Sequence, residues 1–260
     1  VFKLHVAVTR ASVDAMKADL TKTLPDVKSS HRCEALARAF GFRTYATMRA
    51  ATADASEALV READACVFAA YLVGHGFEVD TRLFQYAAAR AAMEAVLASE
   101  PQLNPNGFGA GGPKRVNGIW ETQAARAKRV EDARTKFMDE TSVEEFLLAL
   151  AFVSRLTPMK VINSRAGSYG LKHDAERQPC TFPDGRPLGH GYISNGAFIV
   201  AAVHAGFRFK AYEDARGLPS LNVAFNMSAR SITRARAGSN VSNKPQRSNE
   251  ATGGAQMALH

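Results

Sequence analysis

Nine consecutive residues, Ser168-Tyr-Gly-Leu-Lys-His-Asp-Ala-Glu176, bring together a hydroxyl, a phenol, an amine, an imidazole and two carboxylates. Along a helix, steps of three and four residues place Tyr169, Lys172, His173 and Glu176 on one face. A histidine with a carboxylate one turn away can act as a general base in phosphodiester or proton-transfer chemistry. The same face can instead meet phosphate, with Lys172 and His173 on the anion and Glu176 orienting them. The contact reading is favoured, because no nucleophile or metal set accompanies the pair. His173, Cys180, His190 and His204 are too widely spaced for a compact zinc pattern, and no metal or cofactor is expected. Cys180 lacks any local feature that would activate a thiol. Just downstream, Ser194 or Asn195 can cap a helix, and Tyr192 is available to stack on a base.

The second cluster is basic and lies near the amino end, in Glu34-Ala-Leu-Ala-Arg-Ala-Phe-Gly-Phe-Arg-Thr-Tyr-Ala-Thr-Met-Arg49. It reads as a helix, a turn centred on Gly41 and a second helix. Leu36, Ala37, Phe40, Gly41 and Phe42 supply apolar, small, apolar, Gly and apolar in order, a pattern that resembles the helix-turn-helix superfamily of DNA-binding proteins. Thr47 departs from that pattern, which calls for a branched apolar residue there, and Met48 would replace it with a one-residue shift. The resemblance implies that Arg43, Thr44, Tyr45, Thr47 and Arg49 lie on or before a recognition helix facing the groove or the phosphates. Lys28, Arg32 and Arg38 would flank it on the backbone side. The alternative is an ordinary helical hairpin turning at Gly41. Ala202 to Arg208 repeats the spacing of Ala37 to Arg43, each an Ala, three residues, then Gly-Phe-Arg.

Charge supports a polyanionic partner. The net charge of +8 is segregated: residues 1–50 carry +5, 51–100 carry −5, 101–150 are neutral and 151–260 carry +8. Each neutralised phosphate releases counterions and adds affinity without base recognition. DNA is the favoured partner, with RNA or an acidic protein as alternatives. Three cysteines without CxxC spacing suggest a reducing, cytoplasmic setting. The amino end does not look like a signal peptide, and no apolar run approaches the roughly 20 residues that span a bilayer, so no membrane partner is expected.

The elements that must position these residues read as mainly helical. A helical amino-terminal module with the helix-turn-helix-like pair spans 1–102, with helices over Ala11–Leu24, a stretch opening at Ser30, Arg43–Ala51, Ser56–Gly74 and Thr81–Ser99. The Gly/Pro-rich segment 103–118 reads as a linker. A small α+β module follows over 119–229. Its Arg126, Lys128, Arg129, Arg134 and Lys136 read as a solvated helix face. Ser142-Val-Glu-Glu145 reads as a capping box, Met159–Asn163 as a strand, Ser168–Arg177 and Asn195–Ala205 as helices, and Arg208–Tyr212 with Leu221–Met227 as a strand pair. Residues 230–260, with Arg230, Arg234 and Arg236, read as a flexible basic tail adding phosphate contacts. Residues 160–228 loosely resemble uncharacterised proteins of bacterial plasmids and integrative elements. The function expected is that of a DNA-binding accessory or regulatory protein. An enzyme acting on nucleic acid or nucleotides through His173 and Glu176 is the first alternative, and a protein-binding adaptor or inhibitor the second.

Overall fold

The fold is described from a computed structural model covering residues 2–53, 59–182, 184–213 and 219–241. The first half runs β1 (His5–Val8), α1 (Arg10–Thr23), α2 (Ser29–Ala39), α3 (Tyr45–Ala53), β2 (Leu59–Glu62), α4 (Ala65–Val73) and α5 (Thr81–Ser99). Two small hairpins follow, β3 (Leu103–Asn104) with β4 (Gly107–Phe108) and β5 (Arg115–Val116) with β6 (Ile119–Trp120). The second half runs α6 (Gln123–Thr135), α7 (Glu140–Val153), α8 (Ser168–Glu176), β7 (Cys180–Thr181), β8 (Pro187–Gly189), α9 (Asn195–His204), β9 (Phe209–Glu213), β10 (Pro219–Phe225) and α10 (Ala229–Val241). The protein is mainly helical, and its strands form small antiparallel pairs.

Helix α7 lies at the centre. Every residue from Val143 to Val153 except Glu144 is buried, and a helix apolar all round must be enclosed by neighbours. It packs on α9, and α5 packs on both. At its start Asp139 accepts the Ser142 N–H at 2.7 Å, so the cap lies three residues before the expected capping box. Glu145 is freed by this, and its buried carboxylate accepts the Ser194 N–H at 2.9 Å. That bond clamps the start of α9 against α7. One hydrophobic core runs from Phe2 to Ala235 and so joins the two expected modules. Arg186 reinforces the junction by pairing with both Asp184 (2.8 Å) and Asp80 at the start of α5 (2.7 Å).

Several elements differ from the sequence expectation, each for a local reason. Of the helix expected over Ser56–Gly74, residues 56–58 lie outside the described residues, Leu59–Glu62 form strand β2, and the shorter α4, capped by Asp64, follows. Strand β2 pairs with β1 in the register His5↔Glu62 to Val8↔Leu59. It is mostly exposed and held through its backbone, so it carries no apolar alternation to read. Met159–Asn163 forms no strand. Its backbone instead reaches the end of β10 through Met159 N–H to Asn226 O (2.6 Å) and Asn163 N–H to Phe225 O (2.9 Å). Helix α2 begins at Ser29, not after a Ser30 cap, and the preceding Lys28 makes no side-chain cap.

The expected linker 103–118 is folded into the two hairpins, and the expected solvated face of α6 holds part of it in place. Arg134 donates to the carbonyls of Leu97 (2.8 Å), Glu100 (3.2 Å) and Leu103 (2.6 Å). Arg129 binds Ala110 O at 3.0 Å and pairs with Glu121 at 2.8 Å, and Arg126 binds Gly111 O. Helix α6 has no buried residue, so these arginines attach it where apolar burial does not. Glycine-rich chain leaves many carbonyls without side-chain cover, which makes such guanidinium contacts available.

The repeated Ala-x-x-x-Gly-Phe pattern has a geometric explanation. Gly41 and Gly206 both adopt left-handed φ values, +78° and +83°. In each case the following Phe N–H returns to the carbonyl five residues back, Phe42 to Ala37 and Phe207 to Ala202, both at 3.0 Å. This is the Schellman helix end, which favours glycine because a Cβ is strained at that φ. Gly76-Phe77 after α4 makes the same turn, with Phe77 N–H to Leu72 O at 3.1 Å. The shared pattern thus records one way of stopping a helix.

A half-buried histidine at the end of α9 predicts acid sensitivity. The His204 ring packs edge-on against Phe146 at 5.5 Å. Burial, with a smaller contribution from nearby His5, pushes its pKa down to about 4. The native protein therefore holds this ring neutral at pH values where an unfolded chain, with a pKa near 6.5, would protonate it. Its contribution is complete above about pH 6.5 and is lost as the pH falls toward 4, at most about 3 kcal/mol. Urea midpoints measured across that range should fall less steeply for His204→Leu than for the unchanged protein.

Candidate nucleic-acid interface

The stretch around Gly41 folds as two helices joined by the Schellman turn described above. Thr44 opens α3: its Oγ1 accepts the Thr47 N–H at 3.2 Å, while the Thr47 Oγ1 accepts the Thr44 N–H at 3.1 Å. This reciprocal cap accounts for a threonine at the position where the helix-turn-helix pattern wants an apolar residue. Met48, one residue later, is fully buried. From α2, the Glu34 carboxylate accepts the Tyr45 N–H at 3.1 Å and ties the start of α3 to its neighbour. Met48 is the one buried residue of α3, so this helix rides on the surface with Arg43, Thr47 and Arg49 exposed.

Between α1 and α3 lies a cleft of about 350 Å³ walled by Arg10, Asp14 and Lys17 on one side and Tyr45, Arg49 and Thr52 on the other. Three cations face one carboxylate. Asp14 makes a long ion pair with Lys17, at 3.9 Å. The Lys17 ammonium stands 5.2 Å from the centre of the Tyr45 ring. A hydrogen bond with the Tyr45 side chain raises the Lys17 pKa, outweighing the burial that would lower it, so this charge persists well above neutral pH. Arg10 and Lys17 were not among the residues expected from sequence. Their seven-residue spacing on an amphipathic helix puts them on one face with Asp14, a signal that was present but pointed to no partner until α3 packed alongside.

The remaining basic residues of this region divide. Arg32 is removed from the expected set of phosphate contacts: its guanidinium donates to the carbonyls of Leu24 (2.7 Å) and Val27, stapling the turn between α1 and α2. Arg38 is exposed but sits 5.1 Å over the ring of Tyr71 on α4. Tyr71 and His75 have ring centres 4.3 Å apart, and His31 lies 4.7 Å from His75. Lys28 is exposed at the start of α2. Thr44 and Thr47 have their hydroxyls engaged in the α3 cap, and the Thr47 hydroxyl also donates to Thr44 O at 2.7 Å.

On α8 the expected grouping forms, with one difference. Lys172 is 3% exposed and pairs with Glu176 at 2.9 Å. Its ammonium stands between the rings of Tyr169 (5.3 Å) and Tyr192 (4.8 Å). It is therefore not the open phosphate contact expected from a helical wheel, because the segment around Tyr192 folds back over α8. His173 Nδ1 lies 2.6 Å from the other Glu176 oxygen, and Glu176 also accepts the Ile193 N–H at 3.1 Å. Burial alone would raise the Glu176 pKa, but Lys172, Ile193 N–H and His173 outweigh it and hold the carboxyl below its ordinary range. A carboxylate only accepts, so Nδ1 carries the hydrogen of this bond. The Cys180 thiol is buried, which pushes its pKa up and leaves it a poor nucleophile.

The basic segment expected as a flexible tail begins as helix α10, whose Ile232 and Ala235 are buried. Arg236 binds the buried Asp174 of α8 at 2.6 Å and so serves the fold, while Arg230 and Arg234 are exposed. Lys244, Arg247 and the rest of 242–260 lie outside the described residues. Among the described residues, no helix is long and apolar enough to cross a membrane. No protein-family model, no curated protein and no solved structure matches this chain, so its functional reading rests on the geometry of these sites.

Proposed function

We propose that this protein binds nucleic acid, duplex DNA first, through the cleft between α1 and the exposed helix α3. The observation that carries this reading is the convergence of Arg10, Lys17 and Arg49 around Tyr45, with a single carboxylate among them. A surface helix anchored by one methionine and presenting Arg43 and Arg49 suits insertion into a groove. The flanking cations suit phosphates on either side. Arg230 and Arg234 on α10 offer a separate basic surface. An accessory or regulatory role in a bacterial mobile element accords with the loose resemblance of residues 160–228.

The reading is tested by measuring affinity for labelled duplex DNA, single-stranded DNA and duplex RNA between about 50 and 300 mM salt. Four or five phosphate contacts should give a log–log slope of about −4 on duplex DNA. Failure of all three nucleic acids to bind at the lowest salt would remove the proposal and leave an acidic protein as the partner to seek.

A further inference from the structure

The β5–β6 hairpin carries apolar side chains that the fold does not use. Every residue from Lys114 to Trp120 is exposed. Ile119, Trp120 and Val116 are 74%, 62% and 61% exposed, and none of them belongs to the hydrophobic core or packs against it. Single exposed apolar residues are ordinary, but three large ones on one short segment mark a surface that something else covers.

The hairpin is built to hold these side chains in place. Asn117 and Gly118 form its two-residue turn with left-handed φ values of +50° and +81°, the combination that matches the twist of paired strands. Arg115 pairs across the strands with Trp120, and Val116 with Ile119, so the cation and the indole share one face and the aliphatic pair the other. Arg115 Nε donates to Gly118 O at 2.8 Å, and its Cζ stands 5.9 Å from the Trp120 ring centre. A two-stranded ribbon is marginal by itself, and here its base is clamped. Glu121 N–H donates to Lys114 O at 2.8 Å, Lys114 N–H donates to the Glu121 carboxylate at 3.1 Å, and Arg129 of α6 holds that carboxylate.

We infer that this hairpin binds single-stranded DNA, with a base stacked on Trp120, the aliphatic pair against a neighbouring base, and Lys114 and Arg115 on the phosphates. Residues 114–120 carry two cations and no acid, and Glu121, the next acid along the chain, is taken by Arg129. The partner is therefore an anion that also offers flat apolar faces, and an unpaired strand alternates the two. A duplex keeps those faces stacked inside and must be unstacked before an indole can enter. A lipid surface fits poorly, because the polar Asn117–Gly118 turn would be the deepest part inserted, where nothing satisfies its backbone. The thymine methyl gives Val116 and Ile119 apolar surface that uracil lacks, which favours DNA over RNA. This inference does not depend on duplex binding at the α1/α3 cleft.

Trp120 is the single tryptophan of the chain, so its fluorescence reports on this hairpin alone. The full chain is titrated with oligothymidylate of about ten nucleotides, with oligouridylate and duplex DNA of the same length, with polyglutamate and with phosphatidylserine vesicles. Oligothymidylate should lower the emission saturably and shield Trp120 from acrylamide, while the duplex should change the emission little. With labelled oligothymidylate, Trp120→Ala should weaken binding about tenfold, and Trp120→Phe, which keeps a π face, should stay within about threefold of the unchanged protein. Lys114→Ala with Arg115→Ala should flatten the log–log salt slope by about 1.4, two contacts at about 0.7 each on a single strand. These side chains are exposed, so the variants leave the core intact. Alanine at Arg10, Lys17 and Arg49 should leave the emission change in place, which separates failure at the hairpin from failure at the cleft. The inference is overturned if oligothymidylate leaves the emission unchanged, or if Trp120→Ala binds it as the unchanged protein does. It is equally overturned if duplex DNA or polyglutamate lowers the emission as strongly, if oligouridylate binds more tightly, or if only the vesicles produce a response.

Discussion

Gly196→Ala is expected to destabilise the protein by about 3 kcal/mol or more, a large part of the 5–15 kcal/mol typical of a folded domain. Gly196 is in the first turn of α9, and its N–H donates to Pro105 O at 3.0 Å. A Cβ there would lie 2.0 Å from Asn104 O, 2.8 Å from Asn104 C and 2.9 Å from Pro105 Cα. All three are backbone atoms of the β3–β4 hairpin, so no rotamer change relieves the clash. Helix α9 would have to withdraw from the hairpin, disturbing its clamp to Glu145 and its packing on α7. Alanine's higher helix propensity offsets at most about 1 kcal/mol, so the clash decides the sign. The same substitution at Gly170 should do the opposite. Gly170 is exposed within α8, and its added Cβ meets nothing within 4 Å, so Gly170→Ala should stabilise by about 0.5–1 kcal/mol. Thermal unfolding of the two variants side by side provides the check. A melting point for Gly196→Ala within about 2 °C of the unchanged protein would mean that the hairpin and α9 are not packed as described.

The second large effect is on binding. Replacing Arg10, Lys17 and Arg49 together by alanine should reduce duplex DNA affinity about a hundredfold near physiological salt and flatten the log–log salt slope by about 2.7, three phosphate contacts at about 0.9 each. The three side chains line a surface cleft and none belongs to the buried core, so the melting point should change little. Arg32→Ala makes a contrasting control. It removes a guanidinium that holds the turn between α1 and α2, so it should lower stability and leave the salt slope alone. If the slope instead responds to Arg32 and ignores the triple variant, the α1/α3 cleft is not the interface.

These two expectations separate arginines that look alike along the chain. Arg32, Arg126, Arg129 and Arg134 each donate to backbone carbonyls, and Arg236 neutralises a buried aspartate. Composition counts them with Arg10 and Arg49 toward a basic protein. A guanidinium with five donors is as suited to stapling carbonyls as to binding phosphate, and only the positions of the carbonyls distinguish the uses. The same holds for Lys172. Its helical spacing from Glu176 was readable, but its burial comes from Tyr192, twenty residues away in sequence.

By itself the sequence determined the predominance of helix, helices α1, α3, α5, α8 and α9 to within a residue or two, the β9–β10 pair, the turn at Gly41 and the grouping of His173 with Glu176. Each depends on interactions within a few residues: apolar period, caps, left-handed glycine and one-turn side-chain steps. Only the tertiary structure decided that β1 pairs with β2 across fifty residues of chain, that 103–118 is folded in rather than a spacer, and that one core joins both halves. It alone brought Arg10 and Lys17 to Arg49, and Tyr192 and Asn195 to α8. Those groupings are set by which surfaces pack together, and packing between distant segments leaves no periodic mark on either one.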